Sequence, residues 1–389
     1  RLPYPPNKGD KIRAFNVLAH LSRRHEVWLA TLVDDPADLA HVGALRRHAA
    51  QVATARIDGR LRRAASLRAL WPARSLSVAH FHDAGLQSTV DGWLDATRFD
   101  GVMCSSAPMA EYLFASRHRD GALRGVTRVM DLIDVDSVKW SQYAETAPPW
   151  RAWLYRHEAR ELGAYEHRIV REFDRVFLVS EAEARMLGGD DPQHRVGAFG
   201  NGVDLDYFAP RADTPRDGAL LVFTGVMDYP PNEEAVEWFA RRVLPVVREH
   251  CPDVRFAIVG SRPSAAVRRL AGLPGVIVTG FVDDVRDWIA RSSLCVAPLR
   301  IARGIQNKVL EAMAMARAVV ATPQAFEGID AEPGRELVVA RDERGFADAV
   351  LALLREPERA SSIGAAARAR VERRYRWDAN LAVLDEVFP

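Results

Sequence analysis

Apolar residues along the chain recur with two alternating spacings, one typical of helices and one typical of buried strands. Between residues 10 and 24 they follow a helical stripe, and residues 27–33 then form an apolar run that predicts a strand. The first half continues with predicted strands at 101–104, 128–132 and 175–179 and predicted helices at 84–96, 109–117 and 151–173. This alternation predicts a parallel sheet with helices on both faces.

A polar, proline-bearing stretch at residues 209–218 interrupts the pattern and is the predicted linker. The second half has predicted strands at 219–224, 255–259, 276–279, 294–297, 318–321 and 336–339 and predicted helices at 232–250, 285–291, 307–316 and 344–355. We therefore expect an α/β protein with two doubly wound domains, residues 1–209 and 210–370. A C-terminal helix within 371–389 is expected to pack back toward the first domain. Ligands would bind at the carboxyl ends of the strands, in a cleft between the halves.

The chain begins at Arg1 and runs directly into a proline-rich segment and a loop that carries Gly9. Doubly wound domains begin with a strand that leads into their first glycine-bearing loop. We therefore expect that a short N-terminal piece with the first strand is missing from this sequence.

The composition is that of an ordinary globular protein. The 389 residues are enough for two domains, and 48% are hydrophobic and 27% charged. With 53 basic and 52 acidic residues the net charge is +1, so no nucleic-acid partner is expected. The three cysteines form no metal-ligand or redox pair by spacing, and no apolar run reaches the ~18–20 residues of a membrane span. These features predict a cytoplasmic protein.

The segment after the predicted strand 294–297 carries the most specific chemistry. A basic loop with Arg300 and Arg303 leads through Gly304 into a predicted helix, which has Lys308 in its first turn and Glu311 in its second. Free backbone N–H groups at a helix N-terminus, with cations nearby, suit a diphosphate. The Glu311 carboxylate could accept hydrogen bonds from a sugar or ribose diol. An ordinary βα unit with a solvated basic loop would have the same local sequence.

Six blocks spread over most of the chain carry a resemblance to a known family. They are residues 3–13 (PYPPNKGDKIR), 131–140 (DLIDVDSVKW), 201–204 (NGVD), 223–232 (FTGVMDYPPN), 280–285 (GFVDDV) and 304–314 (GIQNKVLEAMA). In this order they resemble family 4-type glycosyltransferases, and more narrowly the sugar transferases associated with PEP-CTERM exopolysaccharide gene clusters. The resemblance implies a GT-B fold, with two Rossmann-like domains facing each other across a cleft. It also implies retaining transfer of a sugar from a nucleotide-diphosphate sugar to a glycan or lipid-linked acceptor.

On the donor side, we expect Lys308 and the helix N-terminus, together with the Arg303 cation, to stabilise the departing diphosphate, and Glu311 to hold the ribose. The remaining donor-binding positions implied are Gly225, Val282, Arg300, Gly304 and Asn307. Since Arg and Lys can neutralise the leaving group, we expect no metal and no other cofactor.

The chain departs from the family pattern at two places. Many relatives have a glutamate eight residues before the position of Glu311, where this chain has Arg303. The Arg/Lys pair usual after Gly225 is also absent; Asp228 and its neighbours stand there, with Asn232 as a candidate N-cap. These departures leave two alternatives open, a non-catalytic GT-B module that binds nucleotide sugar or glycan and a nucleotide-sugar epimerase.

On the acceptor side, the resemblance implies that the loop carrying Gly9 faces the reacting sugar, and Asp10, Lys11 and Arg13 in the first helical turns are the further expected acceptor contacts, the two cations also suiting phosphate. Asp134 and Asp136 have the spacing of the metal signature of single-domain transferases. The two-domain organisation argues against a metal there. One of Asp131, Asp134 and Asp136 is instead predicted to lie in the acceptor site, and Asp134 is the first choice for a catalytic role.

A basic amphipathic stretch at residues 59–76 suggests a further partner. It has five arginines and no acidic residue, interleaved with leucines and Trp71. Such a segment can lie on an anionic membrane surface, which would place the enzyme peripherally on the inner face of the cytoplasmic membrane. A surface helix that packs its leucines on the sheet would show the same pattern.

Overall fold

The computed structural model describes residues 1–6, 9–57, 74–189, 195–211, 214–215, 217–302 and 304–389, except the side chains of Asp10 and Thr146. The chain divides into two compact units. Unit 1 contains residues 1–200 and 381–389, and unit 2 contains residues 201–380.

Unit 1 is built on parallel strands connected by helices. Its strands are β1 (Trp28–Val33), β2 (Gln51–Arg56), β3 (Gly101–Ser105), β4 (Thr127–Ile133), β5 (Arg175–Leu178) and β6 (Val196–Ala198). Its helices are α1 (Gly9–Leu21), α2 (Val42–Leu45), α3 (Leu76–Phe81), α4 (Ala84–Ala96), α5 (Glu111–Phe114), α6 (Asp136–Thr146), α7 (Pro149–Glu172) and α8 (Glu181–Gly188), with 3-10 turns at Pro36–His41 and Ala107–Ala110. Strands β3 to β6 form a sheet in chain order, and β1 pairs with β2.

Unit 2 has a single six-stranded parallel sheet. Its strands are β7 (Leu220–Thr224), β8 (Arg255–Val259), β9 (Val276–Gly280), β10 (Leu294–Ala297), β11 (Val319–Ala321) and β12 (Val338–Val339). Its helices are α9 (Pro230–Trp238), α10 (Leu244–His250), α11 (Ala265–Arg269), α12 (Val285–Arg291), α13 (Asn307–Ala314), α14 (Pro323–Phe326), α15 (Glu343–Arg355) and α16 (Pro357–Arg374). The strand order β12-β11-β10-β7-β8-β9 reverses direction beside β7 and β10, as in doubly wound folds.

The last helix, α17 (Trp377–Val387), begins in unit 2 and ends in unit 1. In unit 1, the C-terminal residues are part of the packing. A side-chain carbon on Gly101 would lie 2.4 Å from the Phe388 ring, and Asp385 Oδ1 is 3.1 Å from His20 Nε2.

The core explains why these segments become strands. Strands β7 and β10 are apolar along nearly their whole length, as expected for parallel strands covered on both faces. The predicted α/β class and its parallel sheets are confirmed. The helix predicted over 232–250 is present, and a π-helical segment at Phe239–Val243 joins α9 to α10 within it. Pro245 lacks the N–H that a regular helix would use there.

Candidate functional site

The candidate site in unit 2 lies where β7 and β8 end. Gly225 follows β7, and a Cβ there would lie 2.8 Å from Asn232 Nδ2 and 3.3 Å from Lys308 Nζ. Gly260 follows β8 with φ of +150°, and a Cβ there would lie 1.7 Å from the carbonyl oxygen of Gly225. Only glycine allows this close approach of the two backbones. The two loops therefore present main chain, not side chains, at the carboxyl edge of the sheet.

Lys308 lies in the first turn of α13 and contacts these loops. Its Nζ donates to Asn232 Oδ1 at 2.5 Å and lies 4.5 Å from the centroid of the Phe223 ring. Burial lowers the pKa of Lys308 to about 7, against the opposing effect of the Glu311 charge. An anion bound beside Nζ would restore the protonated form. The amine is thus placed to respond to a negatively charged ligand.

Glu311 lies one turn further along α13. Burial raises the pKa of its carboxyl to about 7, and the nearby Lys308 charge works in the opposite direction. Each group therefore stabilises the ionised form of the other. The helix itself is confirmed, with the lysine in its first turn and the carboxylate in its second.

The N-terminus of α13 has no side-chain cap. Gln306 occupies the N-cap position without a capping hydrogen bond, and Gly304 before it has φ of +62°. Asn307, the first helical residue, has its Oδ1 3.5 Å from Asn201 Nδ2. Uncapped first-turn N–H groups beside an amine form a site that suits phosphate oxygens.

The other predicted donor-side residues lie around the same sheet edge. The exposed Arg300 guanidinium forms an ion pair with Glu234, with Nη1 3.1 Å from Oε1. Val282 is half-buried just after β9, next to Phe281, which is 74% exposed. Arg303 lies outside the described residues, and its proposed role in catalysis stays a prediction.

Asn232 has a different role from the one that the sequence suggests. The N-cap of α9 is Tyr229, while the Asn232 side chain is buried and bridges Lys308 and the carbonyl oxygen of Val226, the latter at 2.9 Å. Gly260 is a further residue of the site, and it was not predicted from the sequence. A glycine directly after a strand was the available signal, but its partner Gly225 is 35 positions away in the sequence.

In unit 1, two of the predicted acceptor residues are buried in ion pairs. Arg13 is 1% exposed and donates to both carboxylate oxygens of Asp131, at 2.7 and 2.8 Å. Lys11 is 2% exposed, with its Nζ 2.5 Å from Asp38 Oδ2. The structure favours a supporting role for both over the predicted acceptor contact, because their charges are already satisfied inside the unit.

Gly9 and Asp10 open α1. Gly9 is exposed at the first position of the helix, where the backbone remains accessible. The side chain of Asp10 lies outside the described part of the chain. Both acceptor contacts stay predictions.

Asp134 and Asp136 lie just after β4 and share a cation. Lys139 Nζ is 3.3 Å from Asp134 Oδ2 and 2.8 Å from Asp136 Oδ1. Burial lowers the pKa of Lys139, but the two carboxylates raise it by more, so the amine stays charged. The preceding residue, Ile133, has φ of +72°, a strained conformation for a β-branched residue and one that often marks functional sites. Asp134 and Asp136 are each about one third exposed, so both acids are accessible at this sheet edge.

The amino end of α6, next to these aspartates, is held by a buried carboxyl from α7. Glu166 accepts from Ser137 N at 3.1 Å and from Ser137 Oγ at 2.5 Å. Burial raises the pKa of Glu166 to about 7, although the hydrogen bonds from Ser137 oppose the change.

Residues 218–356 match the family model described as "Glycosyl transferases group 1". Over 164 residues the chain is 32% identical to a phosphatidyl-myo-inositol mannosyltransferase of Propionibacterium freudenreichii, covering 40% of this chain and 39% of the relative. It is 25% identical over 139 residues to an "Uncharacterized 44.6 kDa protein in cps region" of Klebsiella pneumoniae, covering 34% and 36%. The matches thus span less than two fifths of these curated relatives.

Solved structures match over nearly the whole chain. Sucrose-phosphate synthase from Thermosynechococcus elongatus has 18% identity and a TM-score of 0.66, with 98% of this chain and 93% of that chain covered. Anabaena HepE in complex with UDP has 15% identity and a TM-score of 0.65, with coverage of 98% and 96%. At such low identity these likenesses establish the fold. The chain therefore has the GT-B fold, and its residues 218–356 match the family model of the glycosyl transferases of group 1.

Proposed function

We propose that this protein is a retaining glycosyltransferase that moves a sugar from a nucleotide-diphosphate sugar to a glycan or lipid-linked acceptor in exopolysaccharide biosynthesis. The observation that carries the proposal is the Lys308 amine, held by Asn232 between the Gly225 loop and the uncapped N-terminus of α13. The relatives support it. One is a mannosyltransferase, one lies in a cps region, and a structure with the same fold binds UDP.

The donor diphosphate would bind at the N-terminus of α13. Backbone N–H groups of the first turn would donate to its oxygens, and Lys308 would carry the compensating positive charge. Because the pKa of Lys308 lies near 7 without a ligand, binding of the diphosphate would favour its protonation. The charge that develops as the sugar leaves would then be stabilised by a group already in place. Glu311 would accept hydrogen bonds from the ribose.

We expect the reaction to proceed without a metal. In unit 1 the Lys139 ammonium bridges Asp134 and Asp136, where a metal ion would have to displace it. In the ranges that the structure describes, no three His, Cys, Asp or Glu side chains form a group that could hold a metal ion. The proposed role of Asp134 is therefore in the acceptor site.

A cytoplasmic location, peripheral on the inner face of the membrane, is part of the proposal. Within the described residues, no helix is both long and apolar enough to span a bilayer. The basic stretch at 59–76 lies outside the described residues except for positions 74–76, so its membrane contact stays a prediction.

A donor screen tests the proposed activity. The full chain is incubated with a panel of nucleotide-diphosphate sugars, and release of the nucleoside diphosphate is measured with and without candidate acceptors. Transfer or slow hydrolysis that is lost in a Lys308→Ala variant supports the enzyme. Saturable binding with no turnover supports the non-catalytic module, and conversion of the donor into its epimer supports the epimerase.

A further inference from the structure

The connection between α6 and α7 carries an unusual concentration of exposed aromatic side chains. Trp150 is 67% exposed, Trp153 59% and Tyr143 49%. Since α6 ends at Thr146 and α7 begins at Pro149, all three lie within the last turn of one helix and the first turns of the next. Exposed indole rings grouped in this way indicate a surface that contacts something other than water.

Basic residues share this face of α7. At about 100° per residue, Trp150 and Trp153 fall on the same side of the helix as Arg156, His157 and Arg160. Arg156 and Arg160 are exposed, and the His157 ring stacks on Trp153 with centroids 6.1 Å apart.

The charge of this surface is net positive. Arg151, in the exposed first turn of α7, adds a further cation, since its guanidinium lies 4.8 Å from the centroid of the Trp150 ring. Two acids lie nearby, Glu161, which pairs with Arg160, and Glu145 at the end of α6. We call Tyr143, Trp150, Arg151, Trp153, Arg156 and Arg160 the aromatic–basic face.

The opposite side of α7 is fixed in unit 1. Glu158 is 1% exposed and accepts from Ser75 Oγ at 2.7 Å and from the N–H groups of Leu76 and Ser77. Further along, Leu162 and Ile169 lie in the core. The helix is therefore held in one orientation, and the aromatic–basic face is presented outward by the fold.

We propose that the aromatic–basic face docks on the surface of an anionic lipid bilayer. Tryptophan and tyrosine favour the membrane–water interface, because their rings are apolar and their N–H or O–H groups remain hydrated. Arginines beside them meet the negative surface potential of anionic lipids. Charge complementarity and the tryptophan content thus favour a bilayer over other occupants.

The position of the face also suits a lipid-linked acceptor. Helix α6 has 11 residues and is about 16 Å long, with Asp136 at one end and the aromatic–basic face at the other. An acceptor glycan that extends about 16 Å from its lipid anchor at the docked surface would reach Asp134. This last step rests on the proposed function, whereas docking itself does not.

Vesicle co-sedimentation of the full chain tests the proposal without any catalytic readout. The probes are vesicles of phosphatidylcholine alone and of phosphatidylcholine mixed with phosphatidylglycerol, at low and high salt. We expect binding to the anionic vesicles that weakens as salt rises. The double variant Trp150→Ala/Trp153→Ala should reduce the partition coefficient at least about tenfold. Arg151→Glu/Arg156→Glu should reduce binding at low salt only.

Two matched variants control for loss of exposed apolar surface elsewhere. Met186→Ala removes an exposed side chain from α8, and Tyr207→Ala removes an exposed ring that, like Trp150, has a guanidinium above it. Both should bind vesicles as the wild type does. Thermal melts establish that each variant is folded.

Three results would overturn the proposal. The first is no binding of the wild type to anionic vesicles at low salt. The second is unchanged binding of the folded tryptophan double variant. If Arg62→Glu/Arg63→Glu also abolishes binding in that case, the membrane contact belongs to residues 59–76 instead. The third is a wild-type dimer in analytical ultracentrifugation that the double variant converts to monomer, which would make the face an interface between copies.

Discussion

At the scale of single residues, the candidate chemistry depends on a lysine whose environment holds its pKa near neutrality. Lys308 packs against Phe223 and donates to an amide that carries no charge, so until an anion arrives the Glu311 carboxylate is the charge that opposes the effect of burial on its pKa. Such an arrangement costs stability in the empty protein. It makes the amine most effective where a diphosphate develops charge.

We predict that Lys308→Ala lowers kcat by about 10²–10³-fold, because the departing diphosphate loses its cation. Glu311→Ala should mainly raise the donor KM, since a ribose contact exists in the ground state and the transition state alike. Steady-state kinetics on the best donor measure both. Arg269→Ala, which removes an exposed cation from the same unit, serves as the control. Wild-type turnover in Lys308→Ala would exclude this helix from the mechanism.

Substitution of Arg13 distinguishes a role in the fold from the predicted contact with the acceptor. Arg13→Met leaves the buried Asp131 without its partner and should destabilise the protein by about 3–5 kcal/mol. The double variant Arg13→Met/Asp131→Leu should recover part of that loss, because the uncompensated charge is gone. Urea unfolding measures the free energy of unfolding. Full stability of Arg13→Met together with a raised acceptor KM would instead restore the acceptor role.

At the scale of helices and strands, apolar spacing predicted the segments that the core buries. Strands β7 and β10 and helix α13 lie close to their predicted positions. Strand β2 was missed because its exposed residues include Gln51 and Arg56, and β6 because it has only three residues. The part of the candidate site that was predicted lies within one short segment, since Lys308 and Glu311 are both on α13. Two side-chain partnerships could not be predicted, because they form only through tertiary packing and leave no local pattern in the sequence. Asn232 lies 76 positions from its partner Lys308, and Asp131 lies 118 positions from its partner Arg13.

The contact between α6 and α7 gives a prediction about pH. The pKa of Glu166 is about 7 in the folded protein, above its ordinary value of 4.5, so the folded state holds the proton more tightly than the unfolded state does. Its contribution to stability is complete below pH 4.5 and is lost as pH rises through 7. We expect Glu166→Gln, which stays neutral, to flatten the pH dependence by about 1–3 kcal/mol between those values. Urea unfolding at a series of pH values measures it. Parallel curves for the two proteins would show that Glu166 ionises normally.

At the scale of the whole molecule, the candidate donor and acceptor residues belong to different units with separate cores. The donor group, around Lys308, lies in unit 2, within the range that matches the glycosyl transferases of group 1. Asp134 and Lys139 lie in unit 1. The charged groups expected to contact the donor and those expected to contact the acceptor therefore belong to different units. A substitution at Asp134 should leave donor binding largely unchanged, and a substitution at Lys308 should leave acceptor binding largely unchanged.

The last prediction is that the reaction does not need a metal ion to compensate the charge of the leaving diphosphate. A metal that carried the diphosphate charge would be worth several kcal/mol, so its removal would slow the enzyme more than about a hundredfold. With Lys308 in that role, EDTA should leave kcat nearly unchanged, and added Mg²⁺ or Mn²⁺ should have little effect. The Lys139→Ala variant sharpens the test, because it frees the carboxylates of Asp134 and Asp136 for any available cation. If EDTA abolishes wild-type activity and Mn²⁺ restores it, the two aspartates become metal ligands. Insensitivity of both proteins to EDTA would leave the amine and the helix N-terminus as the groups that stabilise the leaving diphosphate.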